Sequence, residues 1–276
     1  ADLRHVVQTA LERNRKKYDL QSKQLKGTEK RDKYKVYGEL INTYGYNLEP
    51  GSKELTALNY YTNEEITIPL DPTQTPGENA QRYFAKYNKQ KRTFEALTEL
   101  IQETADDIQY LESISNALDI ALNEADLAQI KEELMQSGYI RRKHTKKKVK
   151  LTSKPMHYIS SDGYDMYVGK NNLQNEELTF SFANGNDWWF HAKGAPGSHV
   201  IVKSGGDELP DRTFEEAGRL AAYYSKNRGA DKVEIDYIQK KHVKKPNGAK
   251  PGFVVYYTNY SLVIDSDISN IKNVQD

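Results

Sequence analysis

A repeat of apolar residues in the middle of the chain constrains its fold more than any other feature. Between Ala80 and Leu122, apolar side chains lie seven residues apart or a multiple of seven, and a second set lies three residues after these or an intervening heptad position. The first set is Ala80, Tyr87, Phe94, Ile101, Ile108 and Leu122, and the second is Tyr83, Leu97, Leu111 and Leu118. This heptad pattern predicts a long helix that packs against another helix along a narrow apolar seam.

The partner of this helix is predicted upstream, from Leu3 to Tyr44, where no proline occurs and Gly27 and Gly38 are the only glycines. Alternating apolar residues on both sides of the turn at 62–65 predict a β-hairpin over about 52–71. Two helices of similar length joined in this way favour an antiparallel coiled coil over 1–140 with the hairpin at its tip. A third, short helix is predicted from Asp126 to Gln136.

Beyond Lys154 the pattern changes to short strands and turns. The predicted strands are 157–161, 164–169, 188–193, 198–202, 233–238 and 253–257, and the predicted helices are 171–183 and 214–227. Asp162-Gly163 favours a tight turn between the first two strands. The sequence therefore predicts an α+β protein in which the coiled coil is followed by a basic linker at 141–153 and a small mixed domain at 154–276.

Composition excludes several classes of protein. The chain has no cysteine, which excludes disulfides, thiolate metal sites and a cysteine nucleophile. No window approaches the ~18 apolar residues of a membrane span, and the first residues lack a signal peptide's apolar core. We therefore expect a cytoplasmic protein without membrane contact. Because the sequence opens on alanine within a helical pattern, we also expect it to be a fragment of a longer protein.

The positive charge is concentrated at one junction. Residues 1–140 carry 18 Lys and Arg against 23 Asp and Glu, residues 151–276 carry 15 against 16, and residues 141–150 carry seven and none. The junction is either a flexible linker or a polybasic arm that lies along nucleic acid. The loop at 240–252 is either a mobile solvated loop or an RNA contact. The basic stretch at 82–92 is either a solvated helix face or a phosphate contact.

Several motifs of the C-terminal part together resemble the RNA-binding domain that closes proteins of the NFACT family. They are Asp162-Gly163, Val168-Gly169-Lys170-Asn171-Asn172, Asn175, the stretch from Asp187 to Lys193, and Pro196-Gly197-Ser198-His199-Val200. Upstream, Leu70-Asp71-Pro72, the stretch from Asn79 to Phe84, and Lys86-Tyr87 resemble the coiled-coil segment of the family. The resemblance covers essentially the whole chain.

The resemblance implies the RNA- and ribosome-binding part of a ribosome-associated quality-control factor. Its expected partners are the RNA of the large ribosomal subunit and tRNA, in particular alanyl-tRNA, and its expected role is to support alanine tailing of stalled peptides. No catalytic residue, cofactor or metal is expected. An alternative is a surface adhesin that binds fibronectin, for which some relatives are named. A third possibility is an RNA-processing enzyme that uses His191, Lys193 and His199.

The candidate contact residues combine hydrogen-bond donors, positive charges and aromatic planes, which suit phosphates and bases. For RNA they are Lys170, Asn171, Asn172, Trp189, His191, Lys193, Ser198, His199, Lys240, Lys241, Lys244, Lys245 and Lys250. For ribosome contact at the tip of the coiled coil they are Arg82, Lys86, Lys89, Lys91 and Arg92. Each of the residues at 170–199 has an alternative structural role, as a core aromatic or a hydrogen-bonded side chain.

Overall fold

The computed structural model describes residues 2–143 and 149–274 and divides the chain into two compact units. One unit is Asn14–Asp106, and the other combines Ala1–Arg13 with Asp107–Asp276. The predicted α+β class is confirmed, because long helices occur with antiparallel sheets. Part of the basic linker predicted at 141–153, residues 144–148, lies outside the described residues.

Three helices account for most of the N-terminal half. They are α1 (Leu3–Lys26), α2 (Arg31–Tyr44) and the 45-residue α3 (Pro76–Ile120). The single helix predicted from Leu3 to Tyr44 is therefore wrong: α1 ends at Lys26, where the hydroxyl of Thr28 donates to the carbonyl of Leu25 at 2.6 Å. Gly27 precedes this turn, and glycine is a weak helix former because its backbone loses the most freedom on folding.

The unit Asn14–Asp106 contains a two-stranded antiparallel sheet. Strand β1 (Glu54–Asn59) pairs with β2 (Glu64–Pro69), with Glu54 opposite Pro69 and Asn59 opposite Glu64. Its inward-facing residues, Leu55, Ala57 and Ile68, share a buried core with Leu40, Ile41, Leu70, Ala80 and Tyr83. A position for this hairpin at the tip of a coiled coil stays a prediction.

Helices α2 and α3 contact each other in the order of an antiparallel pair. Arg31 lies over the ring of Phe94, Lys35 over that of Tyr87, and Tyr37 meets Tyr83 edge to face. At Gly38 the ring of Phe84 comes so close that an added Cβ would lie 2.7 Å from it. Only glycine therefore permits this approach of the two helices.

The other unit contains a seven-stranded antiparallel sheet in the order β8-β7-β5-β6-β4-β3-β9. Its strands are β3 (Met156–Ile159), β4 (Asp165–Val168), β5 (Trp188–Ala192), β6 (Val200–Val202), β7 (Val233–Gln239), β8 (Tyr260–Ile264) and β9 (Lys272–Val274). Helix α6 (Asp211–Tyr223) covers one face, where Phe190, Val200 and Leu220 are fully buried in the main core. Helix α5 (Asn172–Glu177) and a π-helical turn (Leu178–Phe182) replace the single helix predicted over 171–183.

The C-terminal strands differ from the prediction. The segment Phe253–Tyr257 is not a strand, and only one isolated bridge pairs Lys244 with Val255. The sheet instead ends in β8 and β9, which pair with β7 and β3. The helix predicted at 214–227 occupies Asp211–Tyr223, one turn earlier.

The helices of this second unit form a separate apolar cluster. Helix α4 (Glu124–Gln136) buries Ile130 and Leu134 together with Leu111 and Ile114 of α3. Leu3, Val7, Ala10 and Leu11 of α1 complete the cluster. Asn123 begins α4 by accepting a hydrogen bond from the backbone N–H of Asp126 at 3.0 Å, which is a typical N-cap.

Candidate nucleic-acid interface

The motif residues Lys170, Asn171 and Asn172 contact the helices of their own unit. The Lys170 ammonium lies 3.1 Å from the Asp126 carboxylate, and these two side chains are only 13% and 2% exposed. The Asn171 amide donates to Gln129 at 2.7 Å. These contacts join the sheet domain to α4, so the three side chains have structural partners rather than open surface.

Asp126 is a buried carboxyl that stays ionised. Burial alone would raise its pKa, but the N–H of Leu122, the hydroxyl of Ser153 and the Lys170 ammonium together hold the pKa below its usual range. A charge in this position favours the ion pair with Lys170. The ammonium of Lys170 is thus already neutralised.

Asn172 belongs to a buried polar cluster between the domain and the helices. Its amide donates to the hydroxyl of Ser113 at 2.8 Å and to Glu133 Oε2 at 3.0 Å. The Tyr110 hydroxyl donates to the same Glu133 oxygen at 2.5 Å. Burial raises the pKa of Glu133, and its second oxygen, Oε1, has no hydrogen-bond partner among the described residues.

Trp189, Ser198 and His199 are buried in the domain. Trp189 has no exposed surface and packs with Leu178, Ile201 and Val243. The backbone N–H of Ser198 donates to the carbonyl of Tyr224 at 3.0 Å. A ring without an exposed face offers no plane to a base, so the expected stacking on Trp189 does not occur in this structure. Trp188 is half-buried and packs on the opposite face against Phe214.

The two histidines beside Trp189 are uncharged. His191 stacks on the Trp189 ring, and His199 meets that ring edge to face. Burial lowers the pKa of His191, and burial together with the neighbouring His191 lowers the pKa of His199 to about 3. His199 Nδ1 lies 2.8 Å from the Thr179 hydroxyl, and its backbone N–H donates to Asn175. Neither side chain provides a positive charge for phosphate.

The glycine of the Val168-Gly169-Lys170 motif is explained by Asn175. An added Cβ at Gly169 would lie 1.9 Å from Asn175 Oδ1, the atom that accepts the hydrogen bond of the His199 backbone N–H. The backbone N–H of Gly169 also donates to the carbonyl of His199 at 3.1 Å. These contacts hold Gly169, which directly follows β4, against His199, which directly precedes β6.

The basic loop 240–252 divides into paired and unpaired lysines. Lys245 forms an ion pair with Glu176, and Lys250 forms one with Asp107 while lying over the Tyr110 ring. Lys241 and Lys244 are exposed and form no salt bridge with any described residue. Lys193, the residue directly after β5, is exposed, and its ammonium lies 3.1 Å from the carboxylate of Glu234.

The unpaired lysines are held on an ordered backbone. The N–H of Lys240 donates to the carbonyl of Asp187 at 2.8 Å, and that of Lys241 donates to the carbonyl of Gly185 at 3.0 Å. Lys244 and Val255 exchange two backbone hydrogen bonds. An ordered backbone loses little entropy when a ligand binds, which favours affinity.

The sequence did not predict the aromatic residues that accompany these lysines. Phe182 is 42% exposed, meets the Tyr167 ring edge to face at 4.8 Å, and lies 4.7 Å from the Lys203 ammonium. Lys240 lies 6.0 Å from the Phe180 ring. We call the surface formed by Tyr167, Phe180, Phe182, Lys203, Lys240 and Lys241 the Phe182 face. The signal was present in Phe180-Ser181-Phe182, but these residues were assigned to a helix.

The five basic residues predicted for ribosome contact all lie on α3. Lys86, Lys89, Lys91 and Arg92 are exposed, and Arg82 is half-buried. None of the five forms a salt bridge with a residue in the described part of the chain. They belong to the unit Asn14–Asp106, separate from the unit that carries the Phe182 face.

Within 2–143 and 149–274, no group of three or more His, Asp or Glu side chains is arranged to hold a metal ion. No helix in the same residues is long and apolar enough to cross a membrane.

An antiparallel α+β domain with ordered lysines beside aromatic rings, one of them exposed, has a surface typical of the class of RNA-binding domains. Family models agree with this class: residues 1–153 match the NFACT N-terminal and middle domains, and residues 154–257 match the NFACT protein RNA binding domain. The chain belongs to the NFACT family, and the resemblance seen in its motifs is confirmed.

Several relatives are similar over the whole chain. It is 41% identical over 276 residues to the Rqc2 homolog RqcH of Streptococcus pneumoniae serotype 2 strain D39, covering 100% of this chain and 50% of that protein. It is 39% identical over 277 residues to the Rqc2 homolog RqcH of Bacillus subtilis strain 168, covering 98% and 48%. The chain thus spans about half the length of these curated relatives.

A solved structure shares the fold. It is the C-terminal part of the fibronectin/fibrinogen-binding protein from Streptococcus suis, with a TM-score of 0.75 and 36% identity. The match covers 98% of this chain and 96% of that one. The two units described above therefore have a counterpart in a known structure of the family.

Proposed function

We propose that the chain is the RNA- and ribosome-binding part of a ribosome-associated quality-control factor that acts in the cytoplasm. The observation that supports this most directly is the Phe182 face, where Lys240 lies beside the Phe180 ring and Phe182 meets Tyr167, in a domain that matches an RNA-binding family model. The names of the curated relatives, homologues of Rqc2, support the same assignment.

The proposed ligand of the Phe182 face is RNA backbone with at least one unstacked base. The ring of Phe182 offers a plane for a base, and the ammonium groups of Lys240 and Lys241 offer charge for phosphates, together with that of Lys244 in the same loop. Lys203 is already paired with Asp187 at 2.6 Å, so it contributes less to binding. The proposed partners are the RNA of the large ribosomal subunit and tRNA, in particular alanyl-tRNA. The proposed role is to support alanine tailing of stalled peptides.

Binding to RNA tests this proposal. The 276-residue chain is titrated onto a labelled tRNA and onto purified large subunits at several salt concentrations. Changing Lys240, Lys241 and Lys244 to Gln is expected to weaken binding and to reduce the salt slope by about 0.7 per lost phosphate contact. The matched control changes Lys154, Lys232 and Lys272, which are exposed in the same unit, and is expected to bind as the parent. Equal affinity of the two triple variants would contradict the assignment.

A Phe182→Ala variant tests the stacking part separately. Loss of a base–aromatic contact is expected to weaken binding by roughly 1–3 kcal/mol without changing the salt slope, because no charge is removed. Tyr257→Ala, which removes another exposed aromatic residue of this unit, is the control. A salt slope that falls with Phe182→Ala would contradict a stacking role.

We propose binding rather than catalysis, because desolvation lowers the pKa of both His191 and His199, and His199 is also closed to substrate. Prolonged incubation of labelled RNA with the purified chain is the test. RNA cleavage by the parent chain that is lost in the His191→Ala variant would contradict the binding proposal and support an RNA-processing enzyme.

Fibronectin binding is a second candidate function, favoured by the name of the S. suis protein that shares the fold. A fibronectin titration measured beside the RNA titration separates the two candidates. Saturable binding of fibronectin that survives the Lys240, Lys241 and Lys244 changes would support an adhesin role.

A further inference from the structure

The sequence contains two Asn-Gly pairs, Asn184-Gly185 and Asn247-Gly248. Asparagine is one of the chemically labile residues, and it is most labile before glycine, because glycine has no side chain to shield its backbone nitrogen from the asparagine amide. Both pairs are exposed and lie in the unit that carries the Phe182 face. The hydrogen bonds around the two pairs differ, and this difference decides which pair reacts.

The pair Asn184-Gly185 is held in place on both sides. The N–H of Asn184 donates to the buried carboxylate of Asp187 at 2.7 Å, and the carbonyl of Asn184 accepts the N–H of Asp187 at 3.0 Å. The carbonyl of Gly185 accepts the N–H of Lys241 at 3.0 Å. The Gly185 nitrogen shares a peptide group with the Asn184 carbonyl, so turning that nitrogen toward the side-chain amide would break the bond to Asp187. We therefore expect this pair to be stable.

The pair Asn247-Gly248 lacks such restraints. Among the residues that the structure describes, the side chain of Asn247 has no hydrogen-bond partner, and the peptide group between Asn247 and Gly248 has none either. The turn is closed by the N–H of Ala249, which donates to the carbonyl of Pro246 at 3.1 Å. Turns of types I and II keep this bond and differ mainly in the orientation of the central peptide. The Gly248 nitrogen can therefore turn toward the Asn247 amide while the turn stays closed.

Gly248 also leaves its own nitrogen unhindered. Its φ is +72°, a value that glycine adopts without steric cost, and a Cβ added there would meet no atom within 4 Å. The space around the reacting peptide group is thus open to the asparagine side chain and to water.

The charge of the loop favours reaction at the same place. Residues 240–252 contain five lysines and no acidic residue, and Lys245 and Lys250 lie on either side of Asn247 in the sequence. A positive potential promotes loss of the proton from the Gly248 N–H and stabilises the negative oxygen that forms when the nitrogen attacks. The charge that suits the loop to RNA therefore also activates this pair.

We propose that Asn247 is a modification site, at which the side-chain amide is lost through a cyclic succinimide. The Gly248 nitrogen gives up its proton and forms a bond to Cγ of Asn247, and the side-chain nitrogen takes up a proton and leaves as ammonia. A water molecule then opens the ring at either carbonyl, which gives aspartate or isoaspartate. The net reaction consumes one water and releases one ammonia, and no electron is transferred.

The product places a negative charge within the basic loop. The isoaspartate form also lengthens the main chain by one carbon atom between Lys245 and Lys250. Ion pairs of these two lysines, with Glu176 and Asp107, hold the loop in place, so the longer main chain is expected to displace them. Given the RNA role proposed for the Phe182 face, the reaction is expected to lower RNA affinity, because the new carboxylate competes with phosphate for the neighbouring lysines.

Mass spectrometry tests the reaction without RNA. The 276-residue chain is incubated at pH 8, and its peptides are followed over time. The peptide that contains Asn247 is expected to gain one mass unit while the peptide that contains Asn184 stays unchanged. In the Asn247→Gln variant no gain is expected, because the larger ring closes far more slowly. Equal rates at Asn247 and Asn184, or no reaction at Asn247 while a synthetic peptide of residues 245–250 is converted, would overturn the proposal.

Titration of a labelled tRNA tests the consequence. Asn247→Asp is expected to weaken binding several-fold and to reduce the salt slope by about 0.7, as for one lost phosphate contact. Asn227→Asp adds the same charge at another exposed position of this unit and is expected to bind as the parent. Incubated parent is expected to approach the affinity of Asn247→Asp, whereas incubated Asn247→Gln keeps its own. Parent affinity of Asn247→Asp would overturn the effect on RNA.

The variant of Lys240, Lys241 and Lys244 separates this inference from the proposed function. If that variant binds RNA as tightly as the parent, the RNA role of the loop is contradicted, and the mass measurement still decides whether Asn247 reacts. If that variant binds weakly and Asn247→Asp does not, the RNA role holds and the effect of the modification is refuted.

Discussion

The side chain of Glu133 is a buried carboxyl group, and its negative charge opposes folding. Burial raises its pKa, although Tyr110 and Asn172 both donate to Oε2 and favour the ionised form. A folded-state pKa above the unfolded one means that the stability contributed by this group is complete at pH values below the unfolded pKa. That stability is lost as the pH rises through the folded pKa.

Glu133→Gln keeps an acceptor for Tyr110 and Asn172 but carries no charge. We expect it to raise the melting temperature by a few degrees at pH 8 and to leave it nearly unchanged at pH 4, where the parent carboxyl is protonated. Thermal unfolding at both pH values is the measurement. Glu132→Gln, at a neighbouring position that is less buried, is the control, and an equal gain at both pH values would contradict a role of the charge.

Gly169 makes a second prediction at the scale of one residue. A Cβ added at Gly169 would collide with Asn175, so Gly169→Ala is expected to cost about 1–3 kcal/mol of unfolding free energy through overpacking. Gly185→Ala is the matched control, because its Cβ would meet the nearest atom, Lys241 Cβ, at an ordinary 3.5 Å. Urea denaturation measures both. A loss at Gly185 as large as at Gly169 would mean that the collision is not the cause.

At the scale of elements, the loop 240–252 contacts both the sheet domain and α3. Its lysines Lys245 and Lys250 are paired with Glu176 and Asp107, and these acids compete with phosphate for the same ammonium groups. Changing Asp107 to Asn and Glu176 to Gln is therefore expected to raise RNA affinity several-fold and to steepen the salt dependence.

The control for this change is Asp119→Asn. Asp119 is paired with Arg4 and Lys226, which belong to neither the loop nor the Phe182 face. Its loss is expected to leave RNA affinity within about twofold of the parent. Weaker RNA binding by the Asp107 and Glu176 variant would show that the pairs order the loop for RNA rather than compete with it. Binding is measured by titration at three salt concentrations.

The elements that the sequence predicted well are those with a clear local period. The heptad of α3 and the alternation in β5 and β6 arise from packing on a single face, which the residue pattern records directly. The break between α1 and α2 was missed because Gly27 and Thr28 interrupt the helix without proline. Strands β8 and β9 were missed because they follow irregular segments and are defined by their partners, β7 and β3, rather than by their own sequence.

The candidate site was harder to predict than the fold for a related reason. Positive charge is visible in a sequence, but the partner that neutralises it is not. Lys170 and Lys250 look like Lys241 in the sequence, and only the structure separates the two paired lysines from the exposed one. In the same way, Trp189 and Phe182 are both aromatic, and their burial depends on contacts distant in the chain.

At the scale of the whole molecule, the Phe182 face and the basic residues of α3 predicted for ribosome contact belong to different units. On an oligonucleotide too short to reach both, changing Lys86 and Lys89 to Gln is expected to leave the affinity of the Phe182 face unchanged. On large-subunit RNA, the losses from that variant and from the Lys240, Lys241 and Lys244 variant are expected to add in free energy, because one RNA molecule then engages both surfaces. Titrations of the parent, both variants and their combination on both RNAs provide the comparison. A Lys86 and Lys89 variant that binds large-subunit RNA as tightly as the parent would mean that only the Phe182 face is used.

The compact unit that carries the Phe182 face also includes residues from the start of the chain, since Leu3, Val7 and Leu11 are buried with α3 and α4. A fragment cut at residue 154 would strip Lys170, Asn171 and Asn172 of their partners Asp126, Gln129 and Glu133. An internal deletion avoids this loss. In it, residues 14–106 are replaced by a short Gly/Ser connector, so that Asp126, Gln129, Glu133 and the buried residues of α1 are all retained. We expect this internal-deletion variant to melt in one cooperative transition, at a higher temperature than the fragment that begins at residue 154.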